Sequence, residues 1–178
     1  MERIVGKPLV SQAAIAKRVR ELGNTITQEY ANKDLLVVGI LRGAFVFFAD
    51  LTRAINLPLT LDFMTVQSRG GAATAQERVS IIADLTEEIS QREVLLVEDI
   101  VDSGLTISYL QQVLQARHPR SLKICTLLDK PSRRRVEVAV AYVGFTIPNQ
   151  YVVGYGLDYH NQYRNLPYIA TLPAVEWT

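Results

Sequence analysis

The most constraining feature of this sequence is an apolar strand that runs directly into carboxylates and hydroxyls. The predicted strand over 93–97 is followed at once by Glu98 and Asp99, and a short turn that carries Asp102 leads into a helix beginning near 105. The first amides of a helix lack intrahelical partners and lie at the positive end of its dipole, so they can cradle a phosphate. Carboxylates are acceptor-only groups that suit the vicinal hydroxyls of a ribose. This segment therefore predicts a sugar-phosphate site.

The turn itself carries the groups that such a site requires. Ser103 and Thr106 add hydroxyl donors, and Gly104 allows the backbone to approach a ligand closely or to adopt a positive φ. Turn residues or helix caps alone would explain one carboxylate here, but not three within five residues directly after an apolar strand. A P-loop is excluded because the motif Gly-x-x-x-x-Gly-Lys-Ser/Thr does not occur, and a turn with one glycine excludes the Rossmann fingerprint.

Hydrophobic periodicity predicts strands that alternate with helices along the chain. Helices are predicted over 11–30, 44–55 and 105–116, with Ser11 as the N-cap of the first. Strands are predicted over 35–40, 59–66, 79–83, 93–97, 123–128, 136–142 and 151–153, whereas 67–77 is expected to be a loop because it lacks an apolar period. This order indicates an α/β fold with a largely parallel central sheet and helices on both faces. Ligands of such folds bind beyond the carboxyl ends of the strands.

Composition limits the classes of partner. A length of 178 residues suits one domain, and a formal net charge of +1 gives no global attraction to nucleic acid or to an anionic membrane. No stretch approaches the roughly 18 to 20 apolar residues that span a bilayer, and residues 1–10 lack a signal-peptide pattern, so we expect a cytoplasmic protein. Cys125, the single cysteine, lies in an apolar run and is expected to be a buried hydrophobe.

Residues 97–106 resemble the phosphoribosyl pyrophosphate signature of the type I phosphoribosyltransferases. The closer similarity is to the bacterial hypoxanthine phosphoribosyltransferases, and it covers nearly the whole chain. It includes residues 41–44, 127–134 and 143–164, and the part over 152–159 is specific to the purine branch. The resemblance implies the type I phosphoribosyltransferase fold as one domain over 1–178, with a small purine-binding hood formed by the N-terminal and C-terminal segments.

The resemblance also implies an activity in purine salvage. Such an enzyme transfers the 5-phosphoribosyl group from phosphoribosyl pyrophosphate to N9 of hypoxanthine or guanine and gives IMP or GMP and pyrophosphate. Mg²⁺ is the implied cofactor, with Glu98 and Asp99 beside the ribose hydroxyls, directly or through the metal, and Asp158 on a second Mg²⁺. Asp102 is the implied catalytic residue, which exchanges a proton with N7 of the purine.

Further roles follow from the same resemblance. The residues implied to bind the 5′-phosphate are Asp102, Ser103, Gly104, Leu105 and Thr106. From the sequence alone Lys130 reads as a surface lysine, but the resemblance places it by the exocyclic oxygen at C6 of the base, where it would favour 6-oxopurines. Tyr151 would stack on the purine, and the backbone of Val152 would meet the edge of the base.

The implied pyrophosphate contacts come from two distant parts of the chain. Arg42 and Gly43 would contribute mostly backbone amides, and Arg164 would contribute its guanidinium. A departure from the family pattern lies in the mobile loop over 67–77, where relatives carry a Ser-Tyr pair and this chain has Ser68 and Arg69. We expect the loop to close over the site, with Arg69 adding positive charge near the pyrophosphate.

Two alternatives remain from the sequence. A regulatory nucleic-acid-binding protein could keep this fold and use phosphoribosyl pyrophosphate as an effector, although such a protein would not need Asp102 or Lys130. Within the enzyme class, a transferase that prefers xanthine or guanine is the nearer rival. The basic run over 133–135 is expected to be a solvated face.

The expected partners are small-molecule substrates and further copies of the chain, with no nucleic acid and no membrane. Relatives in the family are dimers or tetramers. The predicted helix over 44–55 is apolar all round, which is more than one buried face requires. We therefore expect a homodimer or a homotetramer.

Overall fold

The computed structural model describes residues 6–71 and 74–172, with the side chains of 68–78 left out of the description. The helices are α1 (Gln12–Glu29), α2 (Phe45–Ala54) and α3 (Leu105–Gln115). The strands are β1 (Pro8–Val10), β2 (Leu35–Leu41), β3 (Thr60–Gly71), β4 (Thr74–Ala83), β5 (Glu93–Val101), β6 (Ser121–Asp129), β7 (Tyr142–Thr146), β8 (Val152–Val153) and β9 (Ile169–Thr171).

The central sheet has six strands in the order β4-β3-β2-β5-β6-β7. All neighbouring strands run parallel except β4, which pairs antiparallel with β3 at the edge. The strands β2 and β5 lie at the centre, and their registers pair Gly39 with Val97. The expected α/β fold with a largely parallel sheet is therefore confirmed.

Each face of the central sheet is covered by different helices. On β2, Leu35 and Val37 pack with residues of α1 and α2, whereas Leu36 and Val38 pack with residues of α3. Successive side chains of a strand point to opposite faces, so a strand buried on both sides reads as a continuous apolar run. Cys125 of β6 is buried in the first of these layers, as predicted, and burial raises the pKa of its thiol.

The helices begin and end within about one residue of the predicted bounds. Ser11 caps α1, since its Oγ accepts a hydrogen bond of 3.2 Å from the backbone N–H of Ala14. In the part of the chain that the structure describes, no helix is long and apolar enough to cross a membrane.

A second, three-stranded sheet joins segments that are far apart in the sequence. Its order is β1-β9-β8, and both pairings are antiparallel. We call this sheet the hood. The segment between β8 and β9 contains the turn over Gly154 and Gly156 and carries Asp158 and Arg164.

Two predicted elements differ from the structure. No strand occupies 136–141, and β7 begins only at Tyr142. Val138 and Val140 pack against the α3 side of the core, so their alternation reflects burial of one side of an irregular segment. The predicted loop over 67–77 is also wrong, since β3 and β4 form an antiparallel hairpin that pairs Arg69 with Arg78.

Candidate functional site

The carboxylates of the segment over 93–106 lie at the carboxyl end of the central sheet. Strand β5 continues to Val101, so Glu98 and Asp99 belong to the strand and not to the turn after it. The turn over 102–104 then leads into α3, with Gly104 as N-cap at a φ of 85°. A Cβ atom at Gly104 would lie 2.3 Å from the carbonyl oxygen of Val136, so both the conformation and the close approach require glycine.

A polar cleft of about 430 Å³ opens where these elements meet. It is bounded by acidic side chains on one side and by the start of α3 on the other. Most of the predicted ribose and phosphate residues are among its lining residues, which include Gly43, Glu98, Asp99, Asp102, Ser103, Gly104, Thr106 and Asp158. The cleft therefore combines oxygen ligands with the free amides of a helix terminus.

The acidic wall of this cleft is partly desolvated. Glu98 is 7% exposed, and burial raises the pKa of its carboxyl well above the usual range, with the adjacent Asp99 raising it further. The backbone N–H of Asp99 donates a 3.0 Å hydrogen bond to Oε1 of Glu98. A buried carboxylate beside a partly buried one favours a cation or a proton nearby.

The carboxylates fit a hard cation that keeps some of its ligands from elsewhere. Among residues 6–71 and 74–172, no three His, Cys, Asp or Glu side chains lie close enough together to hold a metal by themselves. Glu98, Asp99 and Asp158 nevertheless line the same cleft, and all offer oxygen. Mg²⁺ usually takes one or two protein carboxylates and completes its shell with water and substrate phosphates. The donor set therefore fits that ion together with a phosphorylated ligand.

A second cleft, of about 270 Å³, adjoins the first. The two share Asp99, Ile100, Asp102 and Asp158. The second cleft is lined in addition by the three predicted purine-binding residues and by four others, which are Lys130, Tyr151, Val152, Arg133, Asn149, Gln150 and Leu157. A ligand with two parts could thus extend from one cleft to the other past Asp102.

Two cations approach the carboxylate of Asp102. The Nζ atom of Lys130 lies 3.4 Å from Oδ2, and the Nε atom of Arg133 lies 3.3 Å from Oδ1. Oδ1 is buried without a hydrogen bond, so its contact with Arg133 is an ion pair without hydrogen-bond geometry. Lys130 is only 5% exposed, which overturns its interpretation as a surface lysine from the sequence alone.

An aromatic wall closes one side of the second cleft. Tyr151 is 36% exposed, and its hydroxyl donates a 3.1 Å hydrogen bond to the carbonyl oxygen of Asp158. Its ring meets that of Tyr159 edge-on, with centroids 5.7 Å apart. Burial, with a further contribution from Asp158, raises the pKa of the Tyr151 phenol. Tyr151 thus stays a hydrogen-bond donor and contributes aromatic surface to the lining of the second cleft.

Of the three predicted pyrophosphate residues, only Gly43 lines the first cleft. Gly43 lines it and packs tightly against Asp99, since a Cβ atom there would lie 1.7 Å from Oδ2 of Asp99. The side chain of Arg42 is exposed and is not among the lining residues of either cleft. Arg164 pairs with Oδ1 of Asp158 at 2.7 Å and donates to the carbonyl oxygen of Gly156 at 2.7 Å. Arg164 is thus linked to the first cleft by its ion pair with Asp158, which lines that cleft.

The remaining predicted site residues are Leu105, Ser68 and Arg69. Leu105 is the first residue of α3 and lines neither cleft; its backbone N–H lies 3.4 Å from Oγ of Ser103. The backbones of Ser68 and Arg69 belong to β3, while their side chains lie outside those described. The predicted role of this pair therefore stays a prediction.

In the basic run over 133–135, Arg133 and Arg135 are exposed as expected for a solvated face, but Arg134 is not. Arg133 lines the second cleft, and the side chain of Arg134 is 10% exposed and paired with Asp129. Asn149 and Gln150 also line the second cleft without having been predicted. The position of the basic run directly after Lys130 is the signal that would have drawn attention to it.

The chain is similar to known proteins over nearly its whole length. The family model described as phosphoribosyl transferase domain matches residues 7–160. The hypoxanthine phosphoribosyltransferase of Salmonella typhimurium is 49% identical over 163 residues, which are 90% of this chain and 92% of that protein. The hypoxanthine-guanine phosphoribosyltransferase of Bacillus subtilis is 47% identical over 176 residues, or 98% of both chains. A crystal structure of a Staphylococcus aureus hypoxanthine phosphoribosyltransferase superposes with a TM-score of 0.95 at 42% identity and covers 100% of this chain and 97% of that one.

Proposed function

The chain belongs to the phosphoribosyl transferase family, and we propose that it transfers the 5-phosphoribosyl group of phosphoribosyl pyrophosphate to N9 of hypoxanthine or guanine. The products are IMP or GMP and pyrophosphate, as in purine salvage. The observation that carries the proposal is the pair of clefts that meet at Asp99, Asp102 and Asp158. A sugar phosphate suits the polar cleft, and a planar base suits the cleft that contains Tyr151.

Asp102 is proposed to accept the proton from N7 as N9 forms its bond to the anomeric carbon. The bond from that carbon to the pyrophosphate oxygen breaks, and pyrophosphate leaves with the electron pair. The position of Asp102 between the two clefts supports this role. A carboxylate within hydrogen-bond reach of the reacting group is a suitable general base.

Base selection is assigned to the second cleft. Lys130 donates to the oxygen at C6, which favours 6-oxopurines over adenine, because the amino group at C6 of adenine cannot accept a hydrogen bond from the ammonium. The burial of Lys130 supports this role. Tyr151 stacks on the purine ring, and the backbone of Val152 meets its edge.

The phosphates are assigned to three groups of residues. The 5′-phosphate is bound by the loop and helix start over Asp102, Ser103, Gly104, Leu105 and Thr106, with Leu105 contributing its amide. The pyrophosphate is bound by backbone amides of Arg42 and Gly43 and by Arg164. Arg164 contacts Asp158, so pyrophosphate binding requires the guanidinium to share its donors between two anions.

Mg²⁺ is the proposed cofactor, held by Glu98, Asp99 and Asp158 together with ligand oxygens. When bound, it supplies positive charge that stabilises the departing pyrophosphate. Glu98 and Asp99 also accept hydrogen bonds from the ribose hydroxyls, directly or through the ion. The shared lining of the polar cleft by these three carboxylates supports the assignment.

A spectrophotometric assay tests the function directly. The purified protein is mixed with phosphoribosyl pyrophosphate, Mg²⁺ and, in turn, hypoxanthine, guanine and xanthine. We expect IMP or GMP to form and the activity to disappear with EDTA and return with added Mg²⁺. Turnover of xanthine alone would favour the rival specificity, and binding of phosphoribosyl pyrophosphate without turnover of any purine would favour a regulatory protein.

We also propose that the chain forms a homodimer through an apolar patch beside α2. Phe45 is 45% exposed, and Leu61 and Phe63 on β3 are 45% and 41% exposed. The ring of Phe63 lies 4.7 Å from that of Phe48, so the patch continues into the packed core. Phe63→Asp should lower the mass measured by sedimentation to that of a monomer, whereas Leu9→Asp on the hood should leave it unchanged. An unchanged mass for Phe63→Asp would exclude this face.

A further inference from the structure

A short segment after β6 packs directly on the loop that starts α3. We call residues 130–136 the strap. The backbone N–H of Lys130 donates to the carbonyl oxygen of Val101 at 3.0 Å, and those of Arg135 and Val136 both donate to the carbonyl oxygen of Ser103, at 2.9 and 3.1 Å. The strap thus begins with Lys130, which lines the second cleft, and its end contacts the loop over 102–104, which lines the polar cleft.

Arg134 is the side chain that ties the strap to this loop. One guanidinium nitrogen, Nη1, donates a 3.1 Å hydrogen bond to the carbonyl oxygen of Asp102. The other, Nη2, pairs with the carboxylate of Asp129 at the end of β6. The side chains of Arg134 and Asp129 are 10% and 17% exposed, so solvent screens this bridge little.

The strap holds two carbonyl groups of the loop. The carbonyl oxygen of Asp102 accepts from the side chain of Arg134, and that of Ser103 accepts from the backbone N–H groups of Arg135 and Val136. These three donor residues do not line the polar cleft. A carbonyl turned toward a bound phosphate would repel it, whereas a loop whose carbonyls are held back presents its amides. Gly104, at the end of this loop, packs closely against the carbonyl of Val136, so the loop and the strap are in direct contact there as well.

Arginine is the residue type that suits this task. Its planar guanidinium carries five donors and can bind a carboxylate and a carbonyl at the same time in a fixed geometry. A lysine would supply a similar charge on a flexible chain but not the same fork. The contact also links residues 32 positions apart, because β5 and β6 are neighbours that pair Val101 with Asp129.

We propose that Arg134 is a positioning residue for the 5′-phosphate. It acts through the carbonyl group of Asp102, holds the loop over 102–104 with its amides toward the cleft, and joins that loop to the segment that carries Lys130. The proposal rests on the function given above for the polar cleft. It does not require Arg134 to touch either substrate.

The test compares two anions that bind to different parts of the site. Ribose 5-phosphate probes the loop, and pyrophosphate probes the contacts at Gly43 and Arg164; both are titrated by calorimetry in buffer that contains Mg²⁺. For Arg134→Met we expect the Kd of ribose 5-phosphate to rise about 10-fold or more, as for a lost hydrogen bond from a charged group, and that of pyrophosphate to change less than about 2-fold. Arg134→Lys should recover only a small part of this loss.

Arg117→Met provides a matched control. Arg117 also forms an ion pair with an aspartate, Asp84, at 2.7 Å, but it lies just after the far end of α3. Its loss should leave both Kd values within about 2-fold of the wild type. If Arg134→Met does not fold, Asp129→Asn removes the anchor of the guanidinium and should produce a smaller loss with the same selectivity.

Three outcomes would overturn the proposal. They are an unchanged Kd for ribose 5-phosphate in a folded variant, an equal loss for both anions, and full recovery in Arg134→Lys, which would indicate that charge alone matters. Failure of the proposed function is seen separately, because a wild-type protein that forms no nucleotide would still allow the two anions to be titrated.

Discussion

The Nζ atom of Lys130 lies 3.4 Å from Oδ2 of Asp102, and both residues line the second cleft. Lys130, the proposed hydrogen-bond donor to the oxygen at C6, and Asp102, the proposed acceptor of the N7 proton, are therefore direct neighbours. Residues in contact rarely contribute independently, so substitutions at these two positions should show non-additive effects on catalysis. The first two predictions concern this pair.

Asp102→Asn should lower kcat by about 10²- to 10⁴-fold, the usual range for a lost general acid or base. Binding of phosphoribosyl pyrophosphate should change much less, since the amides of the loop remain. Steady-state kinetics with saturating purine provide the measurement. A collapse of affinity with kcat near that of the wild type would assign Asp102 to the phosphate loop instead.

Lys130→Met should raise the KM for hypoxanthine and guanine by about 10-fold or more, because a buried charged donor to the oxygen at C6 is lost. The KM for phosphoribosyl pyrophosphate should change little. Lys17→Met is the matched control, since Lys17 lies on α1 with a side chain that is 76% exposed. Equal increases in the KM values for the purine and for phosphoribosyl pyrophosphate would argue against a role of Lys130 in recognition of the base.

Arg69→Tyr should reduce the salt dependence of the KM for phosphoribosyl pyrophosphate. Attraction between a solvated guanidinium and an anion weakens as salt is added, so this KM should rise with ionic strength in the wild type. The variant should keep its kcat. Both proteins are assayed over the same salt series, and coincident slopes would show that Arg69 does not contact the pyrophosphate.

Asp62→Asn should destabilise the protein near neutral pH by about 1 to 3 kcal/mol. Burial alone would raise the pKa of Asp62, but hydrogen bonds from the backbone amides of Glu87, Phe63 and Thr86 outweigh burial and lower it. A carboxylate whose folded pKa lies below its unfolded value of about 3.9 stabilises the fold above that value and loses this effect as the pH falls.

Urea unfolding at a series of pH values measures this effect. The difference in unfolding free energy between the wild type and Asp62→Asn should shrink as the pH falls below about 4. Asp34→Asn is the control, because the Asp34 side chain is 69% exposed in its ion pair with Arg92 and should matter less. A difference that does not depend on pH would mean that Asp62 acts through packing and not through its charge.

The central sheet was predictable because its strands are buried on both sides. The run over 93–97 is continuous in apolar character, and burial on two faces leaves few other options for such a run. The hairpin of β3 and β4 was missed, since backbone pairing between Arg69 and Arg78 leaves no apolar pattern in the sequence. The segment over 136–141 shows the reverse case, in which alternation arose without a strand.

The site could be predicted only as far as its groups are local in sequence. Glu98, Asp99 and Asp102 follow one strand, and their spacing is visible in the sequence. The contact between Arg134 and the carbonyl of Asp102 joins two loops, and it exists because β6 lies beside β5. No local pattern carries that information, so the sequence predicts a solvated face for all three arginines, whereas only Arg133 and Arg135 are exposed.

The hood has a consequence for the order in which the two clefts can form during synthesis. Its strands β1 and β9 come from opposite ends of the described chain, so β1 cannot pair with β9 until almost all other elements have been synthesised. Closing so long a loop is entropically costly until the intervening core has folded. Strand β5, the loop after it and α3 need no such wait. We therefore expect a nascent chain to form the part of the polar cleft built from β5 and α3 early, and to add Asp158 and complete the second cleft last.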